Sequence, residues 1–396
     1  MTRTGRLLLA GLLGTCLLAA CGTGTNLPPG GGDSKPAAAS SGVNHSLVLT
    51  TDGRVLAWGY QDDGVFGTCT TSTPTFVEGL ADIVAVAAGN RHALALAQDG
   101  SIHVYGSNAS GQLGRVGGNT CTPVKLDIDA TFTSIAAARE TSFALDDEGG
   151  LWAWGGNDRY LLGDGTSTNR TVPQKVAGLP AVVSIGVGES AVFALTTSSG
   201  VWAWGQGHAG SLGTGDSDHQ TSPVRITALD EYEVVQVSPG YLYGMALLAD
   251  GTVVGWGDNI RGQLGMTPGT PATVLEPVAV PGLEDVEALT TGPHTVVAIV
   301  GGVPFTFGAN PNGELGLGSH HDNLGTPTAV ALANVVSVAM GKGGALSAGI
   351  SAGGVVSSAL AVHADGSVSG WGYNPFGQVK AGEPSKIYTP VGVVLP

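Results

Sequence analysis

Charge is scarce in this chain of 396 residues, where Asp, Glu, Lys and Arg make up 12% of the total, about half the usual share of roughly 25%. Its surface must be made of Gly, Ser, Thr and Asn, which suits short strands joined by many turns. Cations are scarcer still. Residues 1–20 contain two arginines and no acid, so beyond them 14 basic side chains face 31 acidic ones, a net charge of −17. A duplex or an anionic lipid surface is repelled by that balance, because nucleic-acid affinity is mostly phosphate neutralisation. Cysteine is nearly absent: there are four, and with no C-x-x-C among them cysteines alone cannot form a metal site. The apolar run from Leu7 to Ala20 is too short to be a comfortable membrane span.

That run follows Arg3 and Arg6, the charge and length pattern of an export signal. Leu18-Ala19-Ala20-Cys21 resembles the lipobox of bacterial lipoproteins, in which cleavage precedes a cysteine that is then lipidated. The expectation is a signal peptide over 1–20, a lipid on Cys21, a flexible Gly/Pro/Ser tether over 21–40, and a folded domain over 41–396. Such a chain is anchored outside a bacterial membrane, in the cell envelope, by its acyl chains alone. Cys69 and Cys121 are then the remaining thiols, a candidate disulfide pair in an exported protein.

A repeat dominates the rest. "LWAWGGNDRYLLGDG" (151–165) returns as "VWAWGQGHAGSLGTG" (201–215), and alignment on Gly155 and Gly205 exposes Gly59, Gly106, Gly257, Gly308 and Gly372. Successive spacings are 47, 49, 50, 52, 51 and 64, with an insertion around 341–358 in the last interval. Seven residues before each glycine stands a turn: Asp52-Gly53, Asp99-Gly100, Glu148-Gly149, Ser198-Ser199, Asp250-Gly251, Gly301-Gly302 and Asp365-Gly366. Asp-Gly between alternating apolar runs signals a hairpin in which both central residues tolerate positive φ. The flanks read as four short strands per unit. A lone sheet of that size leaves apolar faces bare, so units must stack, and seven stacked radially make an all-β, seven-bladed β-propeller.

"GNRHALALAQDGSIHVYGSNASGQLG" (89–114) resembles the repeat of the regulator of chromosome condensation family, itself a seven-bladed propeller. His before an alternating strand, Asp-Gly, aromatic-Gly and Gly-Gln-Leu-Gly all match, and the resemblance runs from about residue 40 to the end. Trp58, Tyr105, Trp154, Trp204, Trp256, Phe307 and Trp371 share one repeat position. A site that accepts any large aromatic seven times over is packing between blades, since catalysis needs one particular functional group.

Other strings carry less. Residues 205–210 fit G-x-G-x-x-G but lie in a repeat loop, outside the βαβ setting a dinucleotide needs. His45, His92 and His294 share a position held elsewhere by Thr141, Ala191, Tyr243 and Ser358, which reads as a side chain capping a turn. His320-His321-Asp322 lacks a third spaced ligand and reads as a solvated loop. Neither a catalytic set nor a metal or cofactor site is expected.

Strand direction places the loop before the "HALAL" strand and the loop after "IHVYG" on one face, and the Asp-Gly hairpins on the other. The copies disagree on the first face. Asn90, Arg91, Arg139, Glu140, Arg159, Tyr160, Glu189, Tyr241, Arg261, Tyr373 and Phe376 collect there. Tyr and Arg are frequent anchors of protein interfaces. The expectation is a monomeric, non-enzymatic propeller that recognises an unidentified protein partner through this rim, with no nucleic-acid partner. Three alternatives remain. The resemblance implies guanine-nucleotide exchange, as in eukaryotic members, or inhibition of a β-lactamase, as in similar secreted propellers. The third, a cell-wall glycan binder or hydrolase, would need a carboxylate pair or an aromatic platform at the channel.

Overall fold

The structure, a computed structural model, describes residues 34–43, 45–59, 73–198, 200–319, 323–341 and 357–396. These form seven sheets of four antiparallel strands each, with helix confined to two 3-10 turns, His208–Gly210 and Thr227–Leu229. Blade 2 shows the plan. Its strands Ile83–Ala88, His92–Ala97, Ile102–Gly106 and Thr120–Lys125 pair in chain order from the axis outward. Blades 1 and 3 to 7 repeat this over 36–76, 132–175, 182–225, 234–279, 286–329 and 335–393. First strands of neighbouring blades flank one another around the axis, where space is short. Small residues such as Ala87, Ala88, Ala136, Ala137 and Ala138 are buried on them.

The Ala/Ser-rich stretch expected to close the tether is one of these inner strands. Pro36–Ser41 pairs with His45–Thr50, so the propeller begins at Pro36, inside the segment assigned to the linker. Its composition looks like low complexity because the crowded axis selects small side chains. Every blade is cut from one continuous stretch of chain, and the ring closes by packing. Ala39, Val48 and Trp58 of blade 1 share a core with Leu360, Val362 and Val368 of blade 7, and Val393 and Leu395 pack against it.

The repeat aromatics are the cores of these interfaces, each fully buried. Their indole N–H groups also bolt blade to blade. Trp154 donates to the carbonyl of Gln112 at 3.0 Å, Trp204 to Leu161 at 2.8 Å, Trp256 to Ser211 at 3.0 Å and Trp371 to Glu314 at 2.8 Å. Each acceptor belongs to the preceding blade, in the loop that carries the Gly-Gln-Leu-Gly variants. The glycine closing that motif lies against the ring: a Cβ on Gly163 would stand 2.9 Å from Trp204 Nε1. Within the loops a buried Asn acts as a peg. Asn157 Oδ1 accepts from Leu162 N at 2.9 Å, and Asn108, Asn259, Asn310 and Asn374 repeat the contact.

The hairpins differ from expectation in one respect. In the Asp-Gly turns only the glycine has positive φ, 76° at Gly53 and 79° at Gly100. The loop is a type I turn closed by a left-handed glycine. In three of these turns the aspartate accepts from the amide two residues on: Asp99 from Ser101 at 2.9 Å, Asp250 from Thr252 at 3.0 Å and Asp365 from Ser367 at 2.8 Å. Among the described residues only blade 6 shows a two-residue turn with both φ values positive, Gly301 at 56° and Gly302 at 72°, between paired Val300 and Val303. That turn is one residue shorter. Thr295 therefore faces Gly308, where His45 faces Gly59 and His92 faces Gly106. His294 does not share the position of His45 and His92; it is pushed back one place into the rim loop.

Candidate functional site at the channel mouth

In blades 2 to 6 the loops joining the first and second strands crown the channel, because the first strands line the axis. They are laced together around it. Asn90 N donates to the carbonyl of Arg139 at 2.8 Å, and Tyr241 N to that of Pro293 at 2.9 Å. Arg139 and Leu242 turn through positive φ, 51° and 61°, which throws neighbouring side chains across the mouth.

A chain of polar contacts follows. Asn90 Nδ2 donates to Glu140 Oε1 at 3.3 Å, and Glu140 lies 3.7 Å from Arg139 Nε. Arg139 also holds Asp158 at 3.1 Å. From blade 3's outer loop Arg159 reaches the main-chain carbonyl of Glu189 at 3.3 Å and a side-chain carboxyl oxygen of the same residue at 3.8 Å. The same guanidinium stands 5.7 Å from the centroid of Tyr241. Tyr241 meets His294 edge to face at 5.6 Å, and His294 Nδ1 is 4.0 Å from Asp258 Oδ2. Asp258 accepts from Gln263 Nε2 at 2.6 Å. The two runs, Asn90 to Asp158 and Arg159 to Asp258, together span blades 2 to 6, and Arg139 and Glu140 act electrostatically on Glu189 where they adjoin.

Burial decides its electrostatics. Glu189 is 5% exposed, and burial pushes its carboxyl up to about 8, outweighing Arg159 and Arg139, while Glu140 pushes the same way. His294 is driven down to about 3 by burial and by Arg261, so it is a neutral imidazole at physiological pH. Burial likewise raises Asp258. Asn90 Oδ1, Arg139 Nε, Glu189 Oε1 and His294 Nδ1 are buried without a hydrogen bond.

Other rim residues lie off the arc. Arg91 is exposed and its carbonyl accepts from Ser107 N. Tyr160 packs outward on His219 at 5.9 Å, which in turn meets His208 at 4.4 Å. Tyr373 and Phe376 belong to blade 7, where Phe376 N donates to Gln378 Oε1 at 3.1 Å. Arg261 faces His294 and Asp258 electrostatically. Asp258 and His294 were missed in sequence. The Gly-Gly pair at 301–302, standing where other copies carry Asp-Gly, was the signal that His294 had slipped onto the rim.

His45 and His92 are interior. Each ring packs under a glycine, so that a Cβ on Gly42 or Gly89 would come within 2.3 or 2.1 Å of it, and burial lowers the two to about 4 and about 3. The G-x-G-x-x-G string leads into the 3-10 turn His208–Gly210, not a phosphate-binding helix. Cys121 is disulfide-bonded. Cys21, Cys69, His320 to Asp322 and most of the 341–358 insertion lie outside the described residues. Among the described residues no group of three or more His, Cys, Asp or Glu is placed to hold a metal, and no helix is long and apolar enough to cross a membrane.

Comparison with known proteins agrees with the architecture. A family model described as the RCC1-like domain matches residues 25–347. The ultraviolet-B receptor UVR8 of Arabidopsis thaliana is 29% identical over 367 residues, spanning 90% of this chain and 69% of the receptor. Human E3 ubiquitin-protein ligase HERC2 is 31% identical over 263 residues, 63% of this chain but only 5% of the ligase. In fold, human WBSCR16 superposes with a TM-score of 0.74 at 20% identity, covering 87% of this chain and 94% of that one. Prp20p of Saccharomyces cerevisiae does so with 0.73 at 20%, covering 91% and 87%.

Proposed function

The chain belongs to the RCC1-like domain family, and from that premise we propose that it is a non-enzymatic propeller that binds a protein partner through the channel mouth. The observation that carries this is the arc from Asn90 to Asp258. It brings amide, guanidinium, carboxyl and aromatic groups from five blades to one rim, with Tyr241 between Arg159 and His294 and the 61% exposed Ile260 donating its amide to Asp258 at the end of the arc. Arg and Tyr at a rim with an exposed aliphatic neighbour make an interface anchor. Among the described residues no nucleophile with an aligned base accompanies them, and His45, His92 and His294 are buried and neutral.

The setting we propose is extracytoplasmic, with the chain held to a bacterial envelope membrane through Cys21. The support is the Arg3/Arg6, apolar-run and Leu18-to-Cys21 pattern. Inhibition of a β-lactamase would be one instance of the same reading.

The test is capture from the envelope of the producing cell by the full chain, beside an Arg159→Ala/Tyr241→Ala/Ile260→Ala variant and a variant altered only on the opposite face at Asp250. A partner held by the wild type and the Asp250 variant but lost by the rim variant supports the mouth. Equal capture by all three would sink it.

A further inference from the structure

We propose that the mouth takes a carboxylate from an acidic segment of the partner, held by the Arg159 and Arg139 guanidinium groups with Glu189 donating a hydrogen bond to it. This deepens the binding role proposed above and rests on it.

The first observation is Arg159. Its side chain is 19% exposed, and it contacts a main-chain carbonyl, a carboxyl at 3.8 Å and the Tyr241 ring at 5.7 Å. At 3.8 Å the Glu189 oxygen is beyond hydrogen-bond range, so the planar fork of the guanidinium lacks the close bidentate acceptor it is built for. Arg139 is bound to Asp158, yet its buried Nε makes no hydrogen bond.

Second, the two arginines do not have an ionised partner in Glu189. The groups facing Glu189 are Arg159 from the outer loop of blade 3, and Arg139 and Glu140 from its inner loop. Burial wins over both guanidinium groups, and with a carboxyl titrating at about 8 the side chain is neutral at pH 7. In that form Glu189 Oε1, buried and without a hydrogen bond, can carry the proton it donates. Arg139 and Arg159 are then balanced by Glu140 and Asp158 alone. An incoming cation would meet two guanidinium groups and a neutral acid. An incoming carboxylate would meet three donors. Of the 14 cations that follow residue 20, Arg91, Arg139, Arg159 and Arg261 stand on this rim, which makes the mouth the favourable approach for an anion on an otherwise acidic molecule.

The proposal has a sign in pH. A carboxylate binds the form with Glu189 protonated, so the apparent Kd rises as that form disappears, about tenfold between pH 7 and pH 9. The probes are dye-labelled hexaglutamate and hexalysine, titrated into the full chain at fixed ionic strength and followed by anisotropy. Hexaglutamate is expected to bind and hexalysine not. Glu189→Gln, which keeps a donor and cannot titrate, is expected to bind hexaglutamate with a flat profile over that range. Arg159→Lys is expected to lose about tenfold, because an ammonium cannot present the fork, with thermal melts showing that both variants fold. Preference for hexalysine, a Kd that falls with pH, an unchanged pH profile in Glu189→Gln, or no binding of either peptide would each overturn it. In the last case a partner lost only by the rim variant would leave the binding role standing and remove only its chemistry.

Discussion

Trp204 and Leu161 are tied across a blade boundary by a 2.8 Å hydrogen bond from indole to carbonyl, and the bond recurs at three more boundaries. At the seam where blade 1 meets blade 7, the Trp58 indole N–H is buried without a hydrogen bond, while the carbonyl of Gln378 accepts from Ser46 Oγ at 2.7 Å.

The two tryptophans should therefore respond differently to loss of the indole N–H. Trp204→Phe strands the Leu161 carbonyl in the interior and should cost about 1–3 kcal/mol. Trp58→Phe gives up volume but no bond, and its melting temperature should fall less. Equal losses would show that the hydrogen bond contributes nothing beyond ring packing.

Glu314 occupies the motif position held by Gln112, Gln263 and Gln378, and its carboxyl accepts from Asn312 N at 2.7 Å. Burial pushes it up to about 7. A folded-state value above the unfolded 4.5 means that the native protein holds a proton the unfolded chain has released. Stability then declines as pH rises from about 4.5 to 7 and is level beyond, with a total of roughly 3 kcal/mol at stake. Glu314→Gln should be the more stable protein at pH 8 and about equal at pH 4.5, measured by urea denaturation at both.

Asp146 behaves in the opposite sense. Burial raises it, but Lys175 at 2.9 Å, Trp152 Nε1 at 2.8 Å and Gly150 N at 2.6 Å together hold it below the usual carboxylate range. Its contribution is present above the unfolded carboxylate value near 4 and is lost as pH falls through the lower native one. Asp146→Asn should destabilise by about 1–3 kcal/mol at pH 7. The gap from wild type should narrow below pH 4. A gap of constant size would mean that the side chain matters by shape alone.

Cys121 is bonded, and the expected partner by sequence is Cys69. Peptide mapping without reductant should recover the two in one linked fragment. The Cys69→Ser/Cys121→Ser protein should unfold more easily, by up to about 4 kcal/mol for a loop of that length. Recovery of Cys121 with a different cysteine would redraw the link between blades 1 and 2.

The propeller was legible because its signals are local and repeated: the Asp-Gly turns, the aromatic-Gly steps and their constant offsets recur often enough to survive any one exception. What escaped detection were the exceptions themselves. His294 was aligned with His45 and His92 because alignment backward from Gly308 assumed a hairpin of fixed length, and a two-residue Gly-Gly turn removes one place. Residues 36–41 gave only a weak strand signal, overlapping the end of the tether, because strands at an axis select Ala and Ser. Glu189 was visible as a rim residue, but its burial was not, since that depends on Arg139 and Arg159 folding over it from a neighbouring blade. Sequence offsets report bonds along the chain, whereas the arc consists of contacts around the ring.

The direction of the first strand has a mechanical consequence. Pro36–Ser41 runs along the axis toward the mouth, pairs along its length with His45–Thr50 and is flanked by blades 2 and 7. A force applied through the residues before it therefore pulls in line with the strand, loading its ladder of hydrogen bonds together in shear. Peeling them one at a time would need a sideways pull, which the neighbouring blades oppose. A pull on Pro36 enters at the end of the strand opposite the mouth, so the load falls on that ladder of hydrogen bonds and not on the arc from Asn90 to Asp258.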